Sequence, residues 1–115
     1  MAITSISAAI AQPTMAHYAA SKAALERACK VMAQELAPHR IRVNCVAPGG
    51  PILSEYVLPM AEQADFEATV RRRVPMGRPG EPEEVTGAVL YLASALASYV
   101  TGAVVVVDGG LTLNR

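Results

Sequence analysis

Residues 41–50 read Ile41-Arg42-Val43-Asn44-Cys45-Val46-Ala47-Pro48-Gly49-Gly50, and this stretch decides the fold class. Residues 41–47 alternate well enough for a strand entering a parallel sheet, and Pro48-Gly49-Gly50-Pro51 breaks that strand sharply. Before it lies a segment, about 15–37, with helical sidedness. Ala20, Ala24, Leu25, Ala28, Val31, Met32 and Leu36 form an apolar stripe, and Glu26, Arg27, Lys30 and Gln34 a polar one. Thr14 is the expected N-cap, and Pro38 marks the end. Further upstream, residues 2–6 (Ala-Ile-Thr-Ser-Ile) read as a short strand rich in β-branched residues. Strand, helix and strand make a βαβ unit, expected to cross over right-handedly. In open α/β sheets ligands collect beyond the carboxyl ends of the strands, where both Ser5 and Pro48-Gly49 fall.

Composition bounds the function. A chain of 115 residues is one domain at most, and at 52 % hydrophobic residues it can form a core. A formal net charge of +0 gives no footprint for nucleic acid or an anionic membrane surface. The apolar run Ala103–Val107 is far too short to span a bilayer, and no secretion signal is read after Met1. Cys29 and Cys45 fit neither a disulfide framework nor a metal spacing, so buried free thiols and a cytoplasmic location are expected. His17 and His39 have no Cys, His or carboxylate partner at ligand spacing, and no metal is expected.

Within the helical segment stands Tyr18-Ala19-Ala20-Ser21-Lys22. Residues four apart on a helix share one face, one turn from each other. A free phenol has a pKa of about 10. A nearby lysine ammonium favours its anion, which suits the pair to acid/base work, while an aromatic packed against a snorkelling lysine fits the same spacing. Ser5 and Ser7 both lie upstream as candidate hydroxyl partners.

After the Pro-Gly break, residues 50–75 read as a variable lid with two helical turns, and Arg71-Arg72-Arg73 is a short basic run near its end. As a phosphate or carboxylate reader that run competes with the plainer reading of a solvated helix end. A Pro/Gly-rich connector leads into a second helix. There Pro82 stands at the first helical position, and Glu81, Glu83 and Glu84 lie at the positive end of the dipole. Val85, Ala88, Val89, Leu92 and Ala93 give its buried stripe to about residue 97. Residues 103–107 (Ala-Val-Val-Val-Val) read as a strand suited to a sheet buried on both faces, ended by Asp108-Gly109-Gly110.

Ser5, Tyr18 with Lys22, the segment 42–49, Arg78-Pro79-Gly80-Glu81-Pro82-Glu83-Glu84-Val85, Thr101-Gly102 and Val107-Asp108-Gly109-Gly110 stand in one order. Together they resemble the C-terminal half of the short-chain dehydrogenase/reductase family, over essentially the whole chain. The resemblance implies an α/β fold: the C-terminal half of a Rossmann-like doubly wound parallel sheet of about three strands, without the N-terminal dinucleotide-binding half. It makes 1–115 a single partial domain with 50–75 as substrate lid. It implies reversible hydride transfer between an alcohol and a carbonyl, with NAD or NADP as cofactor. Tyr18 would exchange the hydroxyl proton, Lys22 would lower its pKa and bind the nicotinamide ribose, and Ser5 would orient the substrate oxygen. The backbone around Pro48, Gly49 and Ile52 would hold the nicotinamide amide, and Ser54 would approach a phosphate. Pro51 departs from the family pattern and has no N–H to donate, which moves that contact to Ile52.

The same resemblance implies a homo-oligomer in which the first helix joins a four-helix bundle across a dimer. It also points to a small alcohol or carbonyl substrate of the sugar or polyol kind. The glycine-rich turn, the residue that reads the adenosine ribose and the proton-relaying asparagine belong to the half not seen in this sequence. Asn44 matches a different position. The isolated chain is therefore expected to be inactive alone, and the alternative is a non-catalytic homo-oligomerising module derived from the family.

Overall fold

A computed structural model describes residues 1–53 and 57–113. In chain order it contains β1 (Ala2–Ile3), α1 (Ala16–Leu36), β2 (Cys45–Pro48), α2 (Leu58–Ala61), α3 (Phe66–Arg73), α4 (Pro82–Ala93) and β3 (Val104–Val107), with short 3₁₀ turns between. The three strands are parallel in the order β1-β2-β3, in the register Ala2–Cys45–Val104 and Ile3–Val46–Val105. Successive residues of a strand face opposite sides of its sheet. Cys45 therefore packs with Cys29 and Ala33 of α1, while Val46 packs with Leu92 of α4. The two helices thus cover opposite faces although the strands advance in one direction, so the two crossovers have opposite hands. Residues 49–81, which carry α2 and α3, take the chain around the strand ends to the second face.

The sequence Arg42-Val43-Asn44 fastens this arrangement at the amino end of β2. Arg42 donates to the carbonyls of Leu92 (2.8 Å) and Ser94 (3.3 Å). It thereby satisfies the orphan acceptors at the negative end of α4. The buried Asn44 side chain donates to the Val100 carbonyl (2.8 Å) and accepts from the Ala103 N–H (3.0 Å). The Val43 N–H donates to the Thr101 hydroxyl (3.1 Å), and its carbonyl accepts from Gly102 (2.7 Å), which turns at φ 72°. These contacts occupy the side chains of Arg42 and Asn44 and the backbone of Val43, while the Asn44 carbonyl already accepts from the Ala2 N–H of β1 (3.0 Å), and β2 starts at Cys45 instead of at 41.

Other boundaries differ for similarly local reasons. β1 stops at Ile3 because the Ser5 hydroxyl accepts from the Ser7 N–H at 3.1 Å and turns the backbone into a 3₁₀ helix over Ile6–Ala8. Thr14 does not cap α1. The Met15 N–H bonds the Gln12 carbonyl (3.2 Å), and Thr14 takes φ 68° after Pro13, as the third residue of a type II turn does. α4 ends at Ala93, where Ser94 opens a separate 3₁₀ turn by accepting from Leu96. Its start is as read, with Pro82 at the first position and the Glu84 carboxylate accepting from the Glu81 N–H at 2.9 Å, as in a capping box.

The apolar stripe of α1 faces away from the sheet: Ala20, Ala24, Leu25, Ala28, Val31 and Met32 are all exposed, and only Leu36 is half-buried. The sheet-facing side is instead Cys29 and Ala33, flanked by the half-buried Ala19, Ala23 and Glu26. β3 is half-buried rather than buried on both faces, with Val106 48 % exposed.

Removing the Asn44 side chain leaves the Val100 carbonyl and the Ala103 N–H without their partner. Such loss in a buried site costs about 1–3 kcal/mol per group. Asn44→Ala is expected to lower unfolding stability by about 2–4 kcal/mol on that basis, read from the urea midpoint at unchanged slope.

Candidate active site

The strand ends converge on one cleft of about 470 Å³ lined by Ser5, Ser7 and Tyr18, by Pro48 to Ile52, and by α3. Each wall has a local cause. Ser5 and Ser7 lie buried where β1 gives way to its 3₁₀ turn. The Ser5 oxygen accepts from the Ser7 N–H, so its own proton remains to donate. The Ser7 proton is spent on the Gln12 side-chain amide oxygen, Oε1, at 3.0 Å. Tyr18 is half-buried in the first turn of α1 and presents its ring to the same space.

The floor is the end of β2. Gly49 donates to the Val107 carbonyl at 3.0 Å, and a Cβ on Gly49 would stand 2.5 Å from Ile6 side-chain atoms. A side chain is therefore excluded at the position where the chain leaves the sheet, and the backbone itself borders the cleft. Beyond Gly50, at φ 78°, Ile52 makes a parallel bridge to Gly80, with bonds from Leu53 N–H to Gly80 O (2.8 Å) and from Gly80 N–H to Pro51 O (3.0 Å). The Arg78–Glu84 pair, at 2.7 and 2.8 Å, fixes the loop that carries Gly80. At the end of β3, Asp108 accepts from Gly110 N–H (2.8 Å), Thr112 N–H (2.9 Å) and the Thr112 hydroxyl (2.8 Å). Burial works to raise the Asp108 carboxyl, but the bonds from Thr112 and Gly110 outweigh it and hold the group below its ordinary range.

Five of the residues expected from sequence, Ser5, Tyr18, Pro48, Gly49 and Ile52, border this cleft together. Lys22 is one turn from Tyr18 with its ammonium 5.6 Å from the ring centre, but that ammonium donates to the Ile3 carbonyl at 3.1 Å. Ser54 lies outside the described residues. Within the stretch read as a lid, Phe66, Thr69, Val70 and Arg73 of α3 line the cleft at spacings i, i+3, i+4 and i+7, a phase the sequence reading did not single out. That periodicity was the signal available in the sequence. Cys29 and Cys45 are buried free thiols away from the cleft. Burial, with Cys29 beside it, pushes Cys45 up to about 12, which keeps it an unreactive thiol at neutral pH. Among the described residues no three His, Cys, Asp or Glu side chains gather as a metal site, and no helix is long and apolar enough to cross a membrane.

A parallel α/β sheet with a Ser- and Tyr-lined cleft at its carboxyl ends defines a class of ligand-binding α/β domains. A family model described as enoyl-(acyl carrier protein) reductase matches residues 1–112. The chain is 46 % identical over 96 residues to galactitol 2-dehydrogenase (L-tagatose-forming) of Cereibacter sphaeroides, covering 84 % of this chain and 37 % of that protein. It is 43 % identical over 113 residues to a 3-oxoacyl-[acyl-carrier-protein] reductase of Thermotoga maritima, covering 96 % and 44 %. Among solved structures, a gluconate 5-dehydrogenase from Burkholderia cenocepacia J2315 in complex with NADP and tartrate superposes with a TM-score of 0.88 at 37 % identity, covering 98 % of this chain and 44 % of that one. A 4-hydroxyisoleucine dehydrogenase complexed with NADH gives 0.92 at 33 % identity, covering 98 % and 46 %. The chain belongs to the short-chain dehydrogenase/reductase family, and it spans less than half the length of these relatives.

The Arg78 hydrogen bonds, with the Glu81 N–H, hold the Glu84 carboxyl at about 2, below its ordinary 4.5. A group depressed in the folded state stabilises above its unfolded pKa and ceases to as pH falls through the folded one. Acid titration between about pH 4.5 and 2 is therefore expected to loosen the Gly80 loop. Arg78→Met should flatten that part of the stability–pH curve, measured by thermal melts across the window.

Proposed function

We propose that this chain is the catalytic half of an NAD(P)-dependent short-chain dehydrogenase/reductase that interconverts a secondary alcohol and a carbonyl. The observation that carries the reading is the meeting of Ser5 and Tyr18 in one cleft with the Pro48–Gly49 backbone at the strand ends. The donor set fits the nicotinamide end of a dinucleotide: backbone from Pro48 to Ile52 without an intervening side chain at Gly49, and hydroxyls opposite. The bound NADP and NADH of the two structural relatives support the same cofactor class.

When bound, the nicotinamide ring supplies the hydride acceptor and donor. Every other part falls to the protein. Ser5 donates its unspent proton to the substrate oxygen and holds it toward Tyr18. In alcohol oxidation the Tyr18 phenolate takes the hydroxyl proton as the carbinol carbon gives up hydride, and in reduction the phenol returns it. Lys22 places its positive charge beside that phenolate and binds the nicotinamide ribose. To do so it leaves the Ile3 carbonyl, which points away from β2 and is the acceptor a further parallel strand beside β1 would use. The backbone at Pro48, Gly49 and Ile52 holds the nicotinamide amide, and Ser54 approaches a phosphate.

The assembled protein is a homo-oligomer. The exposed face of α1 carrying Leu25, Val31 and Met32 supports this, since an apolar helix face favours burial. The two buried free thiols fit a reducing compartment, the cytoplasm.

Tyr18→Phe removes the transferable proton but keeps the ring. In the protein as its source makes it, this substitution is expected to lower kcat for alcohol oxidation by at least about 10²-fold with cofactor affinity little changed. Unaltered turnover would remove Tyr18 from the acid/base role.

A further inference from the structure

We infer that Gln12 is a specificity-determining residue: its side-chain amide reads a second oxygen beside the reacting one, so the cleft takes vicinal diols in preference to simple alcohols. The inference rests on the proposed function for the identity of the cleft, and deepens it by naming the substrate class. Gln12 borders the cleft with Ser5, Ser7 and Tyr18, half-buried in the segment between the 3₁₀ turn Ile6–Ala8 and α1. Its backbone and its side chain are both held. The Gln12 carbonyl accepts from the Met15 N–H (3.2 Å) across the turn through Pro13 and Thr14, and Oε1 accepts from the Ser7 hydroxyl (3.0 Å).

The bond from Ser7 decides which way the amide points. Ser7 is 6 % exposed, and its hydroxyl proton has Gln12 Oε1 as acceptor. Turning the amide over would present N–H donors to the Ser7 oxygen and leave that buried proton without an acceptor, which is unfavourable. Oε1 is therefore fixed on Ser7, and Nε2 keeps two N–H donors that no described residue accepts. A donor already held in place loses little freedom when a ligand arrives, so its bond counts toward affinity and choice.

Ser5 belongs to the same linkage, since its oxygen accepts from the Ser7 N–H (3.1 Å). Ser5, Ser7 and Gln12 thus form one hydrogen-bonded chain along the cleft wall. At one end is the hydroxyl assigned to the reacting oxygen, and at the other the amide. A ligand with oxygens on adjacent carbons can meet both; one with a single hydroxyl meets only the first. Ser7 touches the amide and not the reacting oxygen, which makes it a positioning residue.

The probes are cyclohexanol and cyclohexane-1,2-diol (its better-binding isomer), which share a ring and differ by one hydroxyl. Dissociation constants come from ligand-observed NMR titration of the protein as its source makes it, and kcat/KM is then measured with NAD or NADP. The diol is expected to bind at least about fivefold more tightly than cyclohexanol. Gln12→Met removes the donors at similar length and should bring the two constants together. Ser7→Ala should lower the preference and Ser7→Thr, which keeps a hydroxyl, should restore it. In turnover the lost preference should fall in KM and not in kcat, as for a bond made equally in ground and transition states. Thr69→Val strips a hydroxyl from the α3 wall of the same cleft and should leave the preference as in the wild type.

Equal affinity for the two ligands in the wild type, no binding of the diol, a preference that survives Gln12→Met, or an equal effect of Thr69→Val would each overturn the inference. Circular dichroism melts of each variant show whether the fold is intact. If the diol binds through Gln12 but neither compound is oxidised, the oxidoreductase reading fails while the amide site stands. If both are oxidised with equal kcat/KM and bind alike, the reverse holds.

Discussion

The parallel pairing of β2 with a strand on each side is the constraint on which the rest of the structure depends. Cys45 and Val46 are almost wholly buried because neighbours flank them in the sheet and helices cover both faces. That pairing brings the end of β1, with Ser5, beside the end of β2, with Pro48 and Gly49. The tight fit of Gly49 against Ile6 then leaves bare backbone facing the cleft. Candidate site groups from distant parts of the chain meet because parallel strands end on one side of a sheet, where loops rest on a rigid base.

What the sequence could show follows from where its punctuation is strong. Pro13 and Pro38 bracket α1 so tightly that its observed limits, Ala16–Leu36, lie within a residue of the expected ones. Strand limits were harder to read because hydroxyl and amide side chains compete with the ladder: Ser5 shortens β1, and Asn44 and Thr101 delay β2. The orientation of α1 was the least legible feature. Its apolar residues run around much of the helix, so periodicity identified a stripe but could not say whether sheet or solvent lay beneath it. The answer came from small residues, Ala33 and Cys29, that permit close approach to β2 and β3.

The candidate site was legible in part for the same physical reasons. Ser5, Tyr18, Pro48 and Gly49 sit on elements whose register is fixed by the core, and all four border the cleft. Lys22 is placed by its helix, yet its long side chain reaches to the Ile3 carbonyl, and no spacing rule foretells that choice. α3 falls in the stretch read as a lid, but its cleft-facing residues were not singled out because Arg71-Arg72-Arg73 looks like one charged block. Only helical phase separates the residue that enters the cleft from the two that do not.

Transfer of a hydride, as distinct from loss of a proton to water, is the central claim. It is tested most directly with D-gluconate and galactitol perdeuterated on carbon, oxidised with NAD or NADP by the protein as its source makes it. The account predicts that deuterium from the oxidised carbon appears on the nicotinamide ring of the reduced cofactor. Its appearance in solvent instead, with an unlabelled ring, would contradict it.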